Sequence, residues 1–566
     1  MAYQIDQKYC SCCHRCKVLC PMDAIRFKDG KYWIDPDKCA ECGLCAKNCH
    51  NGIITKIGET PEAPVPHEPV KLEADLVVVG SGGSGLVCAV KFAKLTGKKV
   101  IILEKNWEIG GNTWFASGFG AHYSALMREA GIPDDREERI NKFLMDTVQK
   151  EDPQLVHKVF YATERFSDWL RAECDCAEDY CITETPFGKR PALINKTGKQ
   201  YRRIDCSIGP GGGGSFLVEK MEKQLKLHGI DVLVNTEAEE LMQDETGAVC
   251  GVIAKDPGGR VEVRSKYVVM ATGCFSHNDE LVERCCPGFF DPDCVPVHRF
   301  SVRTCTGDGI KMCSAIGADI DYENTQCLIL GPARHPYSFS LVNLIREPQS
   351  ILVNANGKRF GNEQDNTMGM RAVLRRQPGR FCWCITNDAM LEAQRISNVM
   401  SPMGQGEHKE ICSHWKEDLE TELAYGIDCA SADTIAELAE KIGVPADALV
   451  ETIDNYNKYC EDGFDAEFFK EPKSLMPLAG GPYYALRMQT FQENAVGGMK
   501  INSDLKILRT DGTPIPNLYG VGDNTRGVRL AGDVESELVE RTISNLTWCV
   551  ASGYMAAENI AAELRF

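Results

Sequence analysis

Residues 74–105 read ADLVVVGSGGSGLVCAVKFAKLTGKKVIILEK, and their pattern decides the fold. Leu76 to Val79 are an apolar run of strand length, Leu86 to Thr96 read as a helix, and Val100 to Leu103 form a second apolar run ending at Glu104. Between the first strand and the helix, Gly80-Ser81-Gly82-Gly83-Ser84-Gly85 supply G-x-G-x-x-G. In that setting Gly80 makes the tight turn, Gly82 lets a pyrophosphate approach the backbone, and Gly85 lets the helix pack on the strand. Gly83 and Ser84 complete the turn, and the helix N-terminus faces the phosphates. Glu104, about 20 residues further on, is placed to accept hydrogen bonds from a ribose hydroxyl. Strand, helix, strand and acid in this order predict an α/β domain that binds a dinucleotide.

Around this stretch lies a chain of 566 residues, 43% hydrophobic and 25% charged, long enough for several domains with sizeable cores. Lys and Arg number 63 against 81 Asp and Glu, a formal charge of -18, which argues against a broad surface for nucleic acid or anionic lipid. The uncharged run Leu76 to Val90 is interrupted by four glycines and falls short of the roughly 18 apolar residues a membrane span requires. No span is expected. The N-terminus, MAYQIDQKYC, lacks a basic segment followed by an apolar one, and no twin arginine lies near it. A cytoplasmic location is therefore expected.

Cysteine is abundant, at 28 residues. Cys10, Cys13, Cys16 and Cys20, followed by Pro21, read C-x2-C-x2-C-x3-C-P, and Cys39, Cys42, Cys45 and Cys49 repeat the spacing. The short loops let three thiolates converge on one face of a cubane, while the fourth is too far along to close the same cube. Paired C-x2-C motifs also bind zinc, but the doubled run with Cys-Pro is more specific than two zinc knuckles. It resembles the bacterial-type two-cluster ferredoxins. The resemblance implies one [4Fe–4S] cluster on Cys10, Cys13, Cys16 and Cys49 and a second on Cys39, Cys42, Cys45 and Cys20. Cys12 is an extra thiol, and His50 stands where the second run usually has proline. Ala24 to Asp35 alternate around Asp29-Gly30 and read as a hairpin. The other 20 cysteines, such as Cys88, Cys250 and Cys549, read mostly as core filling; free use of thiols fits an anaerobic or strongly reducing cytosol. Residues 58–73, GETPEAPVPHEPVKLE, read as a semi-rigid tether between a ferredoxin module, residues 1–57, and the remainder.

Further landmarks follow in order. Gly110-Gly111-Asn112-Thr113 with Ala116-Ser117-Gly118-Phe119-Gly120, Ala271-Thr272-Gly273 closing an apolar strand, and Thr306-Gly307-Asp308-Gly309 come first. Ile351 to Asn354 with Gly357 to Phe360, and Leu518-Tyr519-Gly520-Val521-Gly522-Asp523, come after. From Ala74 to Phe566 the chain resembles the fumarate reductase and succinate dehydrogenase flavoprotein superfamily. The resemblance implies FAD against Gly111, Asn112, Thr113, Ser117, Gly118, Ala271, Thr272, Gly273, Asp308, Gly522 and Asp523, as well as the Gly80 to Gly85 turn and Glu104. It implies non-covalent binding, because Glu108-Ile109 stand where succinate dehydrogenases place their linking histidine. It also implies an α+β multidomain chain: a Rossmann-type FAD-binding domain split between 74–330 and 496–566, with an inserted α+β capping domain at 331–495. Ser431 to Tyr459 read as two helices, with Asp433 and Pro445 near their starts. The Gly209 to Gly214 stretch reads as a loop with no catalytic role.

The same resemblance maps the substrate site. His335, before Pro336, matches a substrate-binding histidine, and Arg346 and Arg541 match arginines that clamp carboxylates. Asn343, Thr367 and Asn494 stand where the family has a glutamate, the proton-donating arginine and a second clamping histidine. Arg371 lies one helical turn beyond Thr367. A reduced clamp implies a substrate larger and less charged than fumarate, an enone or enoate. Tyr484 then becomes a candidate proton donor, by resemblance to ketosteroid dehydrogenases. The expectation is an anaerobic reductase of an activated C=C bond, fed by a low-potential donor (a ferredoxin, flavoprotein or NADH-linked reductase), with a homo-oligomer open. The alternatives are ketosteroid-type desaturation, a dicarboxylate enzyme, or an electron-transfer subunit.

Overall fold

The computed structural model describes residues 2–565 apart from 8–9, 11–15, 18–19, 23, 29–30, 50, 59–64, 117–118, 120–121, 147–150, 177–179, 186–187, 194–212, 286–298, 300, 323–325, 333–340, 342–343, 346, 366–368, 375, 401–414, 427, 496 and 529–544. Leu76 to Val79 form the buried end of strand Val70–Val79, which lies parallel to Val100–Leu103 on one side and to Gly259–Met270 on the other. Asp231–Leu233 and Pro514–Gly520 extend the parallel set, and Glu237–Gln243 and Val249–Asp256 continue it antiparallel beside Gly259–Met270. Strands buried on both faces read as unbroken apolar runs, which is why Val77, Val78, Ile101 and Ile102 follow one another without a polar break.

Helix Gly83–Thr96 returns the chain from the first strand to the second, and Gly97, at φ 64, ends it by donating its N–H to Ala93. Its Leu86, Val87, Val90 and Phe92 are fully buried, each contributing about 1.5–3 kcal/mol. They meet Pro153–Glu173, Gly213–Leu227 and the C-terminal Asn545–Glu563 in one core on this face of the sheet; Val77, Val79, Met270 and Leu518 head a second core on the other. Among the described residues no helix is long and apolar enough to cross a membrane.

A second sheet joins Gln326–Pro332, Tyr483–Ala495, Phe381–Asn387 and Ile351–Val353 antiparallel, with Cys429–Ala432 also on the Tyr483–Ala495 strand. Helices Ile435–Ile442 and Ala446–Asp462 form as expected from sequence, with Asp433 and Pro445 near their starts, and cover it; the first is capped by Thr434, whose hydroxyl accepts from Glu437 N. Under them lies a wholly buried charge quartet. Arg359 holds Glu363 at 2.8 and 2.9 Å and Asp465 at 2.9 Å, while Lys470 reaches Glu363 at 2.9 Å. Burial pushes the Glu363 carboxyl up, and Lys470 and Arg359 more than reverse this.

At the N-terminus, Tyr3–Ile5 pairs with Ile54–Lys56, and Ile25–Lys28 pairs with Lys31–Ile34 in the expected hairpin. Ile5, Ile25, Tyr32, Ile34, Ile53 and Ile54 fill a small core of their own. The tether is shorter than its composition implies. Val70 to Glu73 belong to the large parallel sheet, paired with Val261 to Arg264, because they continue the strand whose buried end is Val79. His67 clasps the tether down: its N–H donates to Gly258 O, and its ring nitrogens face Glu68 O at 2.8 Å and Asp256 at 2.8 Å. Both ring nitrogens meet oxygens, so the imidazolium is the form that fits.

Two outcomes follow from these contacts. Glu363→Gln leaves two buried cations short of a counter-charge and is expected to lower stability by about 3–5 kcal/mol in urea denaturation. Hydrogen bonding to Glu68 and Asp256 raises His67 above its ordinary value, so the clasp holds at low pH and is lost as pH rises through that raised value. Proteolysis within residues 65–69 should accelerate across that rise in the native protein and show no such step in His67→Ala.

Candidate functional site

The sheet's carboxyl edge opens a groove that, together with the open solvent at its mouth, spans about 760 Å³. Its floor is the glycine turn. A Cβ on Gly85 would lie 2.1 Å from Gly80 O, and one on Gly80, at φ 104, would lie 2.3 Å from Ala271 O. Helix and strand therefore touch through backbone, and the turn presents main chain to the groove. Gly82 opens the helix without a side-chain cap bond, so the first-turn N–H groups and the positive end of the helix dipole favour an anion there.

Glu104, 8% exposed, lies on the groove wall at the end of the second strand. Its Oε2 accepts from Ser81 N at 2.9 Å and Ser81 Oγ at 2.6 Å, and its Oε1 from Asn106 N at 2.7 Å. Burial raises the carboxyl above its ordinary value against these donors. Each oxygen keeps acceptor capacity for a further hydroxyl. Thr113 Oγ1 accepts from Gly83 N at 2.8 Å. Asn112 works as a brace: its Oδ1 accepts from Val302 N at 2.7 Å and its Nδ2 reaches Cys274 Sγ at 3.5 Å. Asp308 accepts from Thr306 Oγ1 at 2.8 Å and pairs with Lys105. Asp523 accepts from Cys549 Sγ at 3.1 Å, and Gly522 N donates to Ser552 Oγ at 3.0 Å.

Ala271, Thr272 and Gly273 complete the wall, so the fold gathers every described member of the predicted FAD set around the groove except Gly85, which packs behind it, and Gly522, next to Asp523. Ser117 and Gly118 lie outside the described residues. Sequence reading passed over several residues. Lys105 follows Glu104 directly and could have been found as its basic neighbour. Asn524, 1% exposed, gives its Nδ2 to Thr272 Oγ1 at 3.2 Å, while its Oδ1 has no partner among the described residues. Thr236, Ala238 and Met312 carry no motif. Two cysteines first read as packing also stand here: Cys305 lines the groove, and its hydrogen bond to Cys274 holds that buried thiol down at about 7. A buried acceptor-rich carboxylate, a helix start with glycine as its N-cap and a backbone-lined floor all fit a dinucleotide.

The predicted substrate residues are less fully described. His335, Arg346 and Arg541 lie outside the described residues, as does Thr367. Arg371 stands in helix Gly369–Leu374 and Asn494 in strand Tyr483–Ala495, their side chains outside the description. Tyr484 is placed fully, and not as a free acid. It sits in the second sheet's core, its hydroxyl donates to Asp388 Oδ1 at 2.9 Å, and burial, then Asp388, push it well above the ordinary tyrosine range. That arrangement fits a packing position.

In the N-terminal module, Cys10, Cys16, Cys20, Cys39 and Cys49 pack against the core that buries Cys45, while Cys42 is exposed; Cys13 lies outside the described residues. Cys45 is pushed up by burial, with Cys39 and Cys20 both close enough to add to the shift. Ala24 N donates to Cys20 Sγ at 3.3 Å. Among the described residues no three His, Cys, Asp or Glu side chains converge on a single-ion site; a four-iron cube is wider than one ion and holds its thiolates further apart.

Residues 75–533 match the family described as FAD binding domain, a match that begins after the cysteine-rich segment. Urocanate reductase of Eggerthella lenta is 29% identical over 469 residues, covering 82% of this chain and 71% of that protein. NADH:fumarate oxidoreductase of Klebsiella pneumoniae is 28% identical over 476 residues, 82% of this chain but only 46% of that longer protein. The open conformation of a flavocytochrome c3 fumarate reductase shares the fold at a TM-score of 0.67 and 22% identity, over 87% of this chain and 78% of that one.

Two substitutions probe the groove. Gly85→Ala is expected to lose bound flavin and stability together, because the obstructing atom is backbone. Glu104→Gln keeps the shape and is expected to weaken FAD binding about ten- to hundredfold, read by flavin retained per chain and by titration of the FAD-free protein.

Proposed function

Because the chain belongs to the FAD binding domain family and is an FAD-dependent oxidoreductase, we propose that it reduces a C=C bond conjugated to a carbonyl, an enone or enoate, with electrons delivered through two [4Fe–4S] clusters. The observation that carries this reading is that the segment directly after the doubled cysteine run touches the loop that lines the FAD groove. Asn51 Oδ1 accepts from Arg303 N at 3.4 Å, and Val302 and Thr304 on either side of Arg303 line the groove. An enzyme that drew its electrons from a nicotinamide alone would have no use for the proposed one-electron centres beside that loop.

When bound, FAD supplies hydride to one carbon of the double bond. Glu104 and the turn from Gly80 to Gly85 hold its nucleotide half, with Asn524 offering a buried acceptor nearby. His335 and Arg346 are proposed to polarise the substrate carbonyl, with Arg541 supporting them, so that charge developing there is stabilised. Arg371 is proposed to deliver the proton; the bond from Tyr484 to Asp388 favours it over the tyrosine. The segment 331–495 is proposed to close over the site and exclude water. Asn343, Thr367 and Asn494 favour a substrate less charged than fumarate, since an underpaired buried dianion costs several kcal/mol. The relatives named for urocanate and fumarate reduction support the reaction class. The cysteines are proposed to divide as Cys10, Cys13, Cys16 with Cys49, and Cys39, Cys42, Cys45 with Cys20, and the mutual proximity of Cys20, Cys39 and Cys45 supports that crossing.

The test is anaerobic reoxidation of the dithionite-reduced protein, followed by flavin absorbance. Enones and aryl enoates are expected to restore the oxidised spectrum, and fumarate to do so at least tenfold more slowly. Arg346→Ala should cut turnover at least a hundredfold with flavin retained, and Tyr484→Phe should stay within a fewfold of the parent. A protein whose flavin no such alkene reoxidises, or which only desaturates a ketone, does not perform the proposed reaction.

A further inference from the structure

Two strips of chain, Ala271 to Asn278 and Ser301 to Asp308, lie side by side at the groove and are stitched together by hydrogen bonds. His277 N donates to Cys305 O at 2.9 Å, Asn278 Nδ2 to Thr306 O at 2.9 Å, and the His277 ring to Ser301 O at 3.1 Å. A Cβ on Gly307 would lie 2.9 Å from Phe275 Cβ, so the strips touch. Each carries one buried cysteine, and the stitching sets the two thiols against each other. Cys274 and Cys305 hydrogen-bond; Cys274 Sγ also accepts from Asn112 Nδ2 at 3.5 Å and meets Ser276 Oγ at 3.3 Å. Cys305 lines the groove, and Cys274, 1% exposed, stands beside it in the same core.

This pair departs from the other buried thiols. Cys88 is pushed up to about 12 by burial alone and behaves as inert packing. At Cys274 the hydrogen bond from Cys305 outweighs burial and holds the thiol down at about 7, while Cys305 is pushed up. One proton is shared by two sulfurs, which gives the pair thiolate character near neutral pH. The pair is also wired to the groove wall. Asn112, whose Nδ2 rests on Cys274, holds Val302 N with its Oδ1 at 2.7 Å, and Val302, Thr304 and Cys305 all line the groove. A covalent bond draws two sulfurs closer than a hydrogen bond does. It would pull Cys305 back from the wall and disturb the Asn112 brace.

We propose that Cys274 and Cys305 form an oxidation site that closes the groove to FAD: hydrogen peroxide converts the pair to a disulfide in FAD-free chains, and bound FAD shields it. The proposal rests on FAD belonging in this groove and on neither the clusters nor the alkene substrate. In the first step the Cys305 sulfur attacks one peroxide oxygen, the O–O bond breaks, water leaves, and Cys305 becomes a sulfenic acid. Cys274 thiolate then attacks that sulfur, the S–S bond forms, and the hydroxide takes the remaining proton and leaves as the second water. The two thiols lose two electrons and the peroxide gains them.

The test uses the full chain as isolated with FAD and the same preparation after FAD removal, each treated with hydrogen peroxide, alkylated and mapped by mass spectrometry. A peptide pair joined through Cys274 and Cys305 is expected to form at least tenfold faster in the FAD-free chain. FAD reloading, read by absorbance of retained flavin, should fall at least tenfold in step with that crosslink and return on treatment with dithiothreitol. Cys274→Ser and Cys305→Ser, each compared with its own untreated sample, are expected to reload FAD equally before and after peroxide. If neither variant takes up FAD, the parent's crosslink and its protection by FAD decide the matter. Cys549 lines the same groove and is the competing thiol. Cys305 joined to Cys549 instead, a Cys274 to Cys305 crosslink that forms as fast with FAD bound, or reloading lost without that crosslink overturns the proposal.

Discussion

Contact between backbones, with no side chain between them, is the constraint on which this molecule depends. At Gly80 and Gly85 the first helix meets the first strand and the Ala271 turn at distances that admit no Cβ, and at Gly553 the C-terminal helix meets Ser84 in the same way, 2.2 Å from an added carbon to a carbonyl oxygen. Segments nearly five hundred residues apart are thereby held within one layer, and the groove is the gap that this close approach leaves at the sheet edge. Side chains could fill such a contact with apolar area, but they would push the helix start away from the place where its N–H groups are useful.

Around that core the protein handles charge in two ways. Where charge is buried it is balanced: Arg359 and Lys470 against Glu363 and Asp465, with every lobe hydrogen-bonded. Where charge borders the groove it is left with capacity, as in Glu104, which accepts three protein hydrogen bonds and still faces the cavity. The first arrangement fixes a scaffold, and the second awaits a ligand. Tyr484 sits with the scaffold, since its hydroxyl already donates to Asp388.

The 28 cysteines divide along the same lines. Buried single thiols such as Cys88 and Cys313 are raised by loss of water and behave as small apolar groups. Those of the N-terminal module crowd one small core, and Cys274 and Cys305 pair at the groove. Composition alone could not separate these populations, because a thiol's chemistry depends on its neighbours, and most of those neighbours come from distant segments.

The amino-acid sequence by itself determined the local units: the strand, turn and helix through Gly80 to Gly85, the acid at Glu104, the hairpin near residues 25–34, and the paired helices after Ser431. In each, the pattern of glycine, apolar and capping residues lies within one short segment, so nothing distant is needed to read it. Tertiary structure alone decided that the Tyr484 hydroxyl meets Asp388, that Asn112 braces two loops, that Asn524, Thr236 and Met312 approach the groove, and which end of the module meets Trp107. Those roles are set by contacts between segments hundreds of residues apart, and such contacts leave no spacing in the sequence to read.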